Sequence, residues 1–172
     1  MELKEAIRKR KSVRHFREDK PVDDSTVRAI LELAIRAPSA GNVQPWVIYV
    51  VRKPESRNLL TEAAHGQSFI AQAPVALVVC IDKARTLSTY GQRGLELYSI
   101  QDTAALTEHI LLTAVDMGLG TCWVGAFDEE ACSRALSLSR NERPVAIISL
   151  GYPAKDPADR GRRRVDEVTV WD

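Results

Sequence analysis

Apolar side chains recur along this chain in two rhythms. Val27, Ile30, Leu31, Ala34 and Ile35 follow helical spacing behind Asp23, Asp24 and Ser25, any of which can cap a helix, and Pro38 stops it. Thr103, Leu106, Ile110, Ala114 and Met117 repeat the spacing with further apolar neighbours, which predicts a central, largely buried helix. Leu3 to Arg10 predicts a short helix ahead of both. Trp46 to Val51 and Val75 to Ile81 are instead unbroken apolar runs rich in β-branched residues, the pattern of strands covered on both faces. One helix is predicted between them, with Pro54 in its first turn and Gly66 just past its end. Gly118 and Gly120 stop the long helix, Cys122 to Gly125 suits a short strand, Asp128 caps a helix through Leu136, and Pro144 to Leu150 is another buried strand. From Lys155 to Arg164 the chain is polar, after which Val165 to Trp171 alternates with period two. That last run has no hairpin partner beside it, so the strand it predicts pairs elsewhere, such as on another subunit.

The fold class is therefore α/β, and with no repeat, low-complexity tract or Gly/Pro/Ser-rich linker, residues 1–172 read as one domain. A chain of 172 residues buries roughly 70% of its unfolded surface, enough for a core without staples. The 24 basic and 23 acidic residues leave a net charge of +1, so no global field draws it to nucleic acid or to an anionic membrane. Any basic site must be local. Cys80, Cys122 and Cys132 are odd in number and lack CxxC spacing, which indicates neither a disulfide framework nor a zinc site. Met1 to Lys11 lacks the apolar region of a signal peptide, and no run approaches the ~20 apolar residues of a bilayer span. The expectation is a cytoplasmic protein with neither membrane nor nucleic-acid partner.

Two short segments carry the candidate chemistry. Arg10-Lys11-Ser12-Val13-Arg14 sets cations and a hydroxyl at alternate positions behind a helix, which suits a doubly charged phosphate, because guanidinium offers charge-assisted donors in a fixed fork. Alone, the cluster reads sooner as the solvated end of an amphipathic helix. Ala37-Pro38-Ser39-Ala40-Gly41-Asn42-Val43-Gln44-Pro45-Trp46 is a turn-rich stretch leading into a strand, and Pro, Ser, Gly and Asn do the same in an ordinary helix stop. Arg160, Arg162, Arg163 and Arg164 make the densest basic patch, readable as a phosphate clamp, a nucleic-acid contact or a solvated tail. Gly118-Leu119-Gly120 follows a helix and precedes a strand, the reverse of a dinucleotide fingerprint. His15, His65 and His109 lack metal-ligand spacing, and no GxSxG, HExxH or Walker sequence is present.

With Gly118-Leu119-Gly120-Thr121-Cys122-Trp123-Val124-Gly125-Ala126-Phe127 and Leu150-Gly151-Tyr152-Pro153, these segments resemble the nitroreductase family over nearly the whole chain, in the family's order. The resemblance implies a sandwich with a central mixed sheet flanked by helices and a C-terminal strand exchanged between subunits. It implies a homodimer holding FMN at the subunit interface. It also implies hydride transfer from NADH or NADPH through flavin N5 to an electron-poor acceptor, such as a nitroaromatic or quinone, by a ping-pong route. The matching residues are Arg10 and Ser12, with Lys11 beside them, at the phosphate and Arg14 at the pyrimidine edge. Pro38, Ser39, Ala40 and Asn42 belong to the loop that reaches the flavin from the partner, with Gln44 and Gln67 as amides near the ring. Trp123 and Val124 line the site, a backbone N–H of Gly125 or Ala126 faces N5, and Arg163 or Arg162 completes the phosphate clamp. No side chain is implied as a catalytic acid or base, and no metal is implied. Only Asp82 to Ile100 remain to cover the flavin, where longer members insert helices, so a short lid is expected, with Tyr90, Arg93 and Tyr98 as candidates to shape the acceptor pocket. Alternatives within this frame are a specialised branch, dehalogenating or flavin-fragmenting, and a flavin-binding protein with little turnover.

Overall fold

A computed structural model describes all residues from Met1 to Asp172. Four strands, β1 (Trp46–Val51), β2 (Val75–Asp82), β3 (Gly120–Val124) and β4 (Glu142–Gly151), form one sheet in the order β1-β2-β4-β3. Strand β2 shows why its sequence is unbroken in apolar residues. Val75, Leu77 and Val79 point into one core, and Ala76, Val78 and Cys80 point into a second core on the opposite face. Helices α2 (Asp24–Ala34) and α6 (Ser99–Asp116) close the first core through Ile30, Ala34, Leu106, Ile110 and Ala114. Helices α3 (Pro54–Ala63), α4 (Phe69–Gln72) and α7 (Glu129–Leu136) close the second through Leu60, Ile70 and Cys132.

Two-faced burial is thus achieved without parallel strands. All three pairings are antiparallel, and the only parallel element of the expected mixed sheet is an isolated bridge from Ser12 to Thr121. Where one helix was predicted between β1 and β2 there are two, because α3 ends at a turn with His65 and Gly66 at positive φ before Phe69 starts the short α4. Asp128 accepts from the Ala131 amide at 2.8 Å and caps α7 as its sequence implies. Helix α1 spans Leu3–Lys9.

The segment after β2 forms helix α5 (Lys83–Arg93), opened by Asp82 accepting from the Arg85 amide, and a π-turn over Gly94–Tyr98 that leads into α6. At the other end of the chain the period-two pattern does not yield a strand. Val165–Glu167 is a 3-10 turn held by local bonds: Thr169 Oγ donates to the Val165 carbonyl at 2.9 Å, and Arg163 donates to the Glu167 carbonyl at 2.7 Å. With no strand beside it in this chain, the run settles into its own short-range bonds, leaving Val170 97% and Trp171 83% exposed. No helix is long and apolar enough to cross a membrane.

Candidate cofactor site

The basic segment leaves α1 and docks on the free edge of β3, where the Val13 amide donates to the Thr121 carbonyl at 2.8 Å. Glycine makes this approach possible. A Cβ at Gly120 would lie 2.5 Å from Val13 Cγ2 and 3.0 Å from Pro153 Cγ. Val13 is thereby buried, while Arg10, Lys11, Ser12 and Arg14 line a cleft of about 770 Å³ whose far wall is the tail, including Arg160 and Arg162. Lys11 ties the two walls together, its ammonium donating to the Pro157 carbonyl at 3.0 Å and lying 3.5 Å from Asp156. Arg14 stacks over the Phe69 ring at 5.8 Å. Seven Lys and Arg side chains face two Asp side chains across the cleft. Arg163 turns away to Glu167, so of the two candidate tail cations the cleft takes Arg162.

Beside this cleft a hollow of about 440 Å³ shares Arg10 and Ser12 and adds Leu111, Thr121, Trp123 and Glu108. Glu108, on the central helix, stands 3.9 Å from the Arg10 guanidinium. Its helical position reads in sequence as one exposed polar residue among several, and only the docking of α1 against α6 reveals it. Trp123 is 39% exposed, whereas Val124, the next residue of the strand, points into the core. After β3, Gln67 donates to the Ala126 carbonyl at 3.3 Å and to the Ala64 carbonyl at 3.0 Å, so Gln67 and the Gly125-Ala126 turn do come together. Burial pushes the Cys122 thiol up, against a smaller opposing pull from Arg14, and pushes Cys80 and Cys132 up to about 12. None of the three is a thiolate near neutrality.

The Pro38–Gln44 loop lies elsewhere: none of its residues lines the cleft or the hollow. It is bonded within itself and to its neighbours. Gly41, Asn42 and Gln44 all have positive φ, which costs a non-glycine residue about 1 kcal/mol and is tolerated best by Asn. Ser39 Oγ accepts from the Gln44 amide at 3.0 Å, the Gln44 side chain donates to Asn42 Oδ1 at 3.2 Å, and the Ala40 amide donates to Asp102 of α6 at 3.0 Å. Asp102 is buried, which raises its carboxyl above the usual range, with the Ala40 amide opposing the rise. On the segment after β2, where a lid was expected, the Arg93 guanidinium donates to the Tyr98 hydroxyl at 2.9 Å, and Tyr98 meets Tyr90 edge to face with ring centroids 5.4 Å apart, yet none of these residues lines the cleft or the hollow.

A family model described as the Nitroreductase family matches residues 7–69 and 61–152, spanning both basic segment and sheet. This chain belongs to the nitroreductase family. As a nitroreductase-family chain it is 32% identical to an NADH dehydrogenase of Thermus thermophilus, over 99% of this chain and 96% of that protein. It is 29% identical to the 5,6-dimethylbenzimidazole synthase of Rhodospirillum rubrum, over 86% of this chain and 80% of that one. Its fold superposes on an NADPH:FMN oxidoreductase from Vibrio harveyi solved with NAD+, with a TM-score of 0.90 and 26% identity, covering 99% of this chain and 76% of the other. Nearly a quarter of the Vibrio protein thus has no counterpart here. The family implies FMN, and the donor set fits its phosphate: a cation-rich cleft with a serine hydroxyl and few competing carboxylates.

Proposed function

We propose that this nitroreductase-family chain is a homodimeric, FMN-dependent oxidoreductase that draws electrons from NADH or NADPH and delivers them to a flat, electron-poor acceptor such as a quinone or nitroaromatic. The observation that carries this is the cleft between the Arg10–Arg14 segment and the tail, where seven basic side chains meet two acidic ones in a protein of net charge +1. FMN, when bound, would supply the two-electron carrier between reductant and acceptor. Arg10 and Ser12, completed by Arg162, would hold its phosphate, with Lys11 keeping the tail closed on them. Arg14, with its guanidinium steadied on Phe69, would place positive charge at the pyrimidine edge, where reduction builds negative charge. The Gly125-Ala126 turn, anchored through Gln67, offers backbone N–H donors beside the ring, and Trp123 supplies an apolar wall against which a flat acceptor can lie. No side-chain acid–base pair is needed, since solvent can protonate such acceptors.

Dimerisation would complete the site. The Pro38–Gln44 loop stands outside its own chain's cleft and would serve the partner's, and Leu3, Ile7, Val170 and Trp171 expose apolar surface that a second subunit would cover. The dehydrogenase and oxidoreductase relatives support this reading. The synthase relative keeps a second one in play, a specialised branch that shares the cofactor site but makes a different product. Steady-state oxidation of NADH and NADPH against a quinone and a nitroaromatic tests the proposal. Parallel double-reciprocal lines are expected; intersecting lines, or no turnover with either acceptor, would contradict it. Product analysis after turnover separates the specialised branch.

A further inference from the structure

Helix α5 and the Pro38–Gln44 loop pack against each other, in part through one aromatic side chain. The Tyr90 hydroxyl sits against Gly41, where a Cβ would collide with it. The same side chain is tucked over Gly94, whose Cβ would lie 2.6 Å from Tyr90 Cβ and 2.9 Å from Thr86 Cγ2. Tyr90 therefore reaches from Gly94 at its base to Gly41 at its tip, with the Tyr98 ring edge-on to it and 39% of the residue exposed. From the same helix the Arg85 guanidinium donates to the Val43 carbonyl at 3.0 Å, and from α6 Asp102 accepts from the Ala40 amide. The loop so gripped holds three residues at positive φ, a shape that persists only where its surroundings over-determine it. Internal bonds from Ser39 and Gln44 are short-range and would follow the loop into other shapes.

We propose that Tyr90 is a positioning residue for cofactor binding: it fixes the Pro38–Gln44 loop in its binding shape and so links helix α5 to the cofactor. The inference rests on the reading that this loop contacts FMN. It assigns Tyr90 a place in holding the flavin that is separate from any role in shaping the acceptor pocket. Removing the ring frees the loop to sample other shapes, and affinity falls by the fraction of time spent in the competent one.

The test is FMN affinity of the purified full-length protein, by quenching of flavin fluorescence, for wild type, Tyr90→Phe, Tyr90→Leu, Tyr90→Ala, Asn42→Ala and the Tyr90→Ala/Asn42→Ala double variant. The apoprotein melting temperature is recorded for each. Tyr90→Ala should weaken FMN about ten-fold with the apoprotein melting temperature little changed, and Tyr90→Phe, which keeps the ring but loses the hydroxyl seated on Gly41, should fall between the two. In the double variant the two losses should add, because Tyr90 sets the fraction of competent loop and Asn42 the affinity of that loop. Asn42→Ala weakening FMN while Tyr90→Ala and Tyr90→Leu do not would overturn the proposal and leave the loop contact standing. A melting temperature that falls in step with FMN affinity across the Tyr90 variants would also overturn it, by making Tyr90 a residue of general stability. If neither residue affects FMN, the loop contact itself falls, and the proposal with it.

Discussion

Arg10→Ala is the sharpest perturbation of the proposed phosphate site. Arg10 lines both the cleft and the adjoining hollow, and its side chain is only 21% exposed, so its charge acts in a partly dry setting. A charge-assisted hydrogen bond contributes about 1.5 to 3 kcal/mol, which corresponds to about a ten- to hundred-fold change in Kd for FMN. The free protein offers Arg10 one competing partner, Glu108 at 3.9 Å and 46% exposed. Such a pair is worth less than about 1 kcal/mol, too little to offset the loss. Equilibrium titration of apoprotein with FMN measures the effect, with circular dichroism confirming the fold. Arg10→Lys should fall between wild type and alanine, since it keeps the charge but loses the planar fork. Unchanged affinity in folded Arg10→Ala would refute the reasoning, because no other cation links the cleft to the hollow.

Three further outcomes follow from the packing. Gly120→Ala should destabilise the protein by about 1 to 3 kcal/mol in urea melts and weaken FMN as well, because its Cβ displaces Val13 and the basic segment with it. Asp102→Asn keeps an acceptor for the Ala40 amide but removes a buried charge. Burial raises the folded carboxyl above its ordinary 3.8, so wild-type stability is fully present below that value and declines as pH rises through the folded one. The variant should therefore melt higher than wild type at pH 7, with the gap closing as pH falls through the raised folded value toward about 4; a gap that widens toward acid contradicts this. Deleting residues 165–172, which expose Val170 and Trp171, should shift sedimentation velocity toward the monomer, and an unchanged profile would remove the tail from the proposed dimer contact.

Where sequence periodicity reports burial, it was a sound guide. The runs in β2 and β4 are continuous because each alternates between two cores, and helix α6 is apolar around much of its girth because it lies against the sheet. What the pattern could not convey was strand direction, since helices on both faces bury an antiparallel strand as fully as a parallel one. Val165 to Trp171 shows another limit: alternation describes a strand only where a neighbour supplies hydrogen bonds, and here Thr169 and Arg163 bond to nearby carbonyls instead. Of the expected site, the clustering of the basic segment was legible, whereas the tail register that counting back from Val168 favoured, Arg163, gives way to Arg162 in the cleft, and the bond from Gln67 to the Ala126 carbonyl was not foreseen. The Pro38–Gln44 loop was legible as a motif, yet it sits away from its own chain's cleft. Glu108 and the grip of Tyr90 on Gly41 were not readable, because both arise from contacts between elements far apart in sequence.

The central claim is that this protein binds FMN and that NADH or NADPH reduces it there. A visible spectrum of the protein with FMN, taken without oxygen before and after either nucleotide is added, tests both halves together. Bound-flavin bands that bleach on addition are the predicted result; bands that persist, or flavin that stays free in solution, would contradict it.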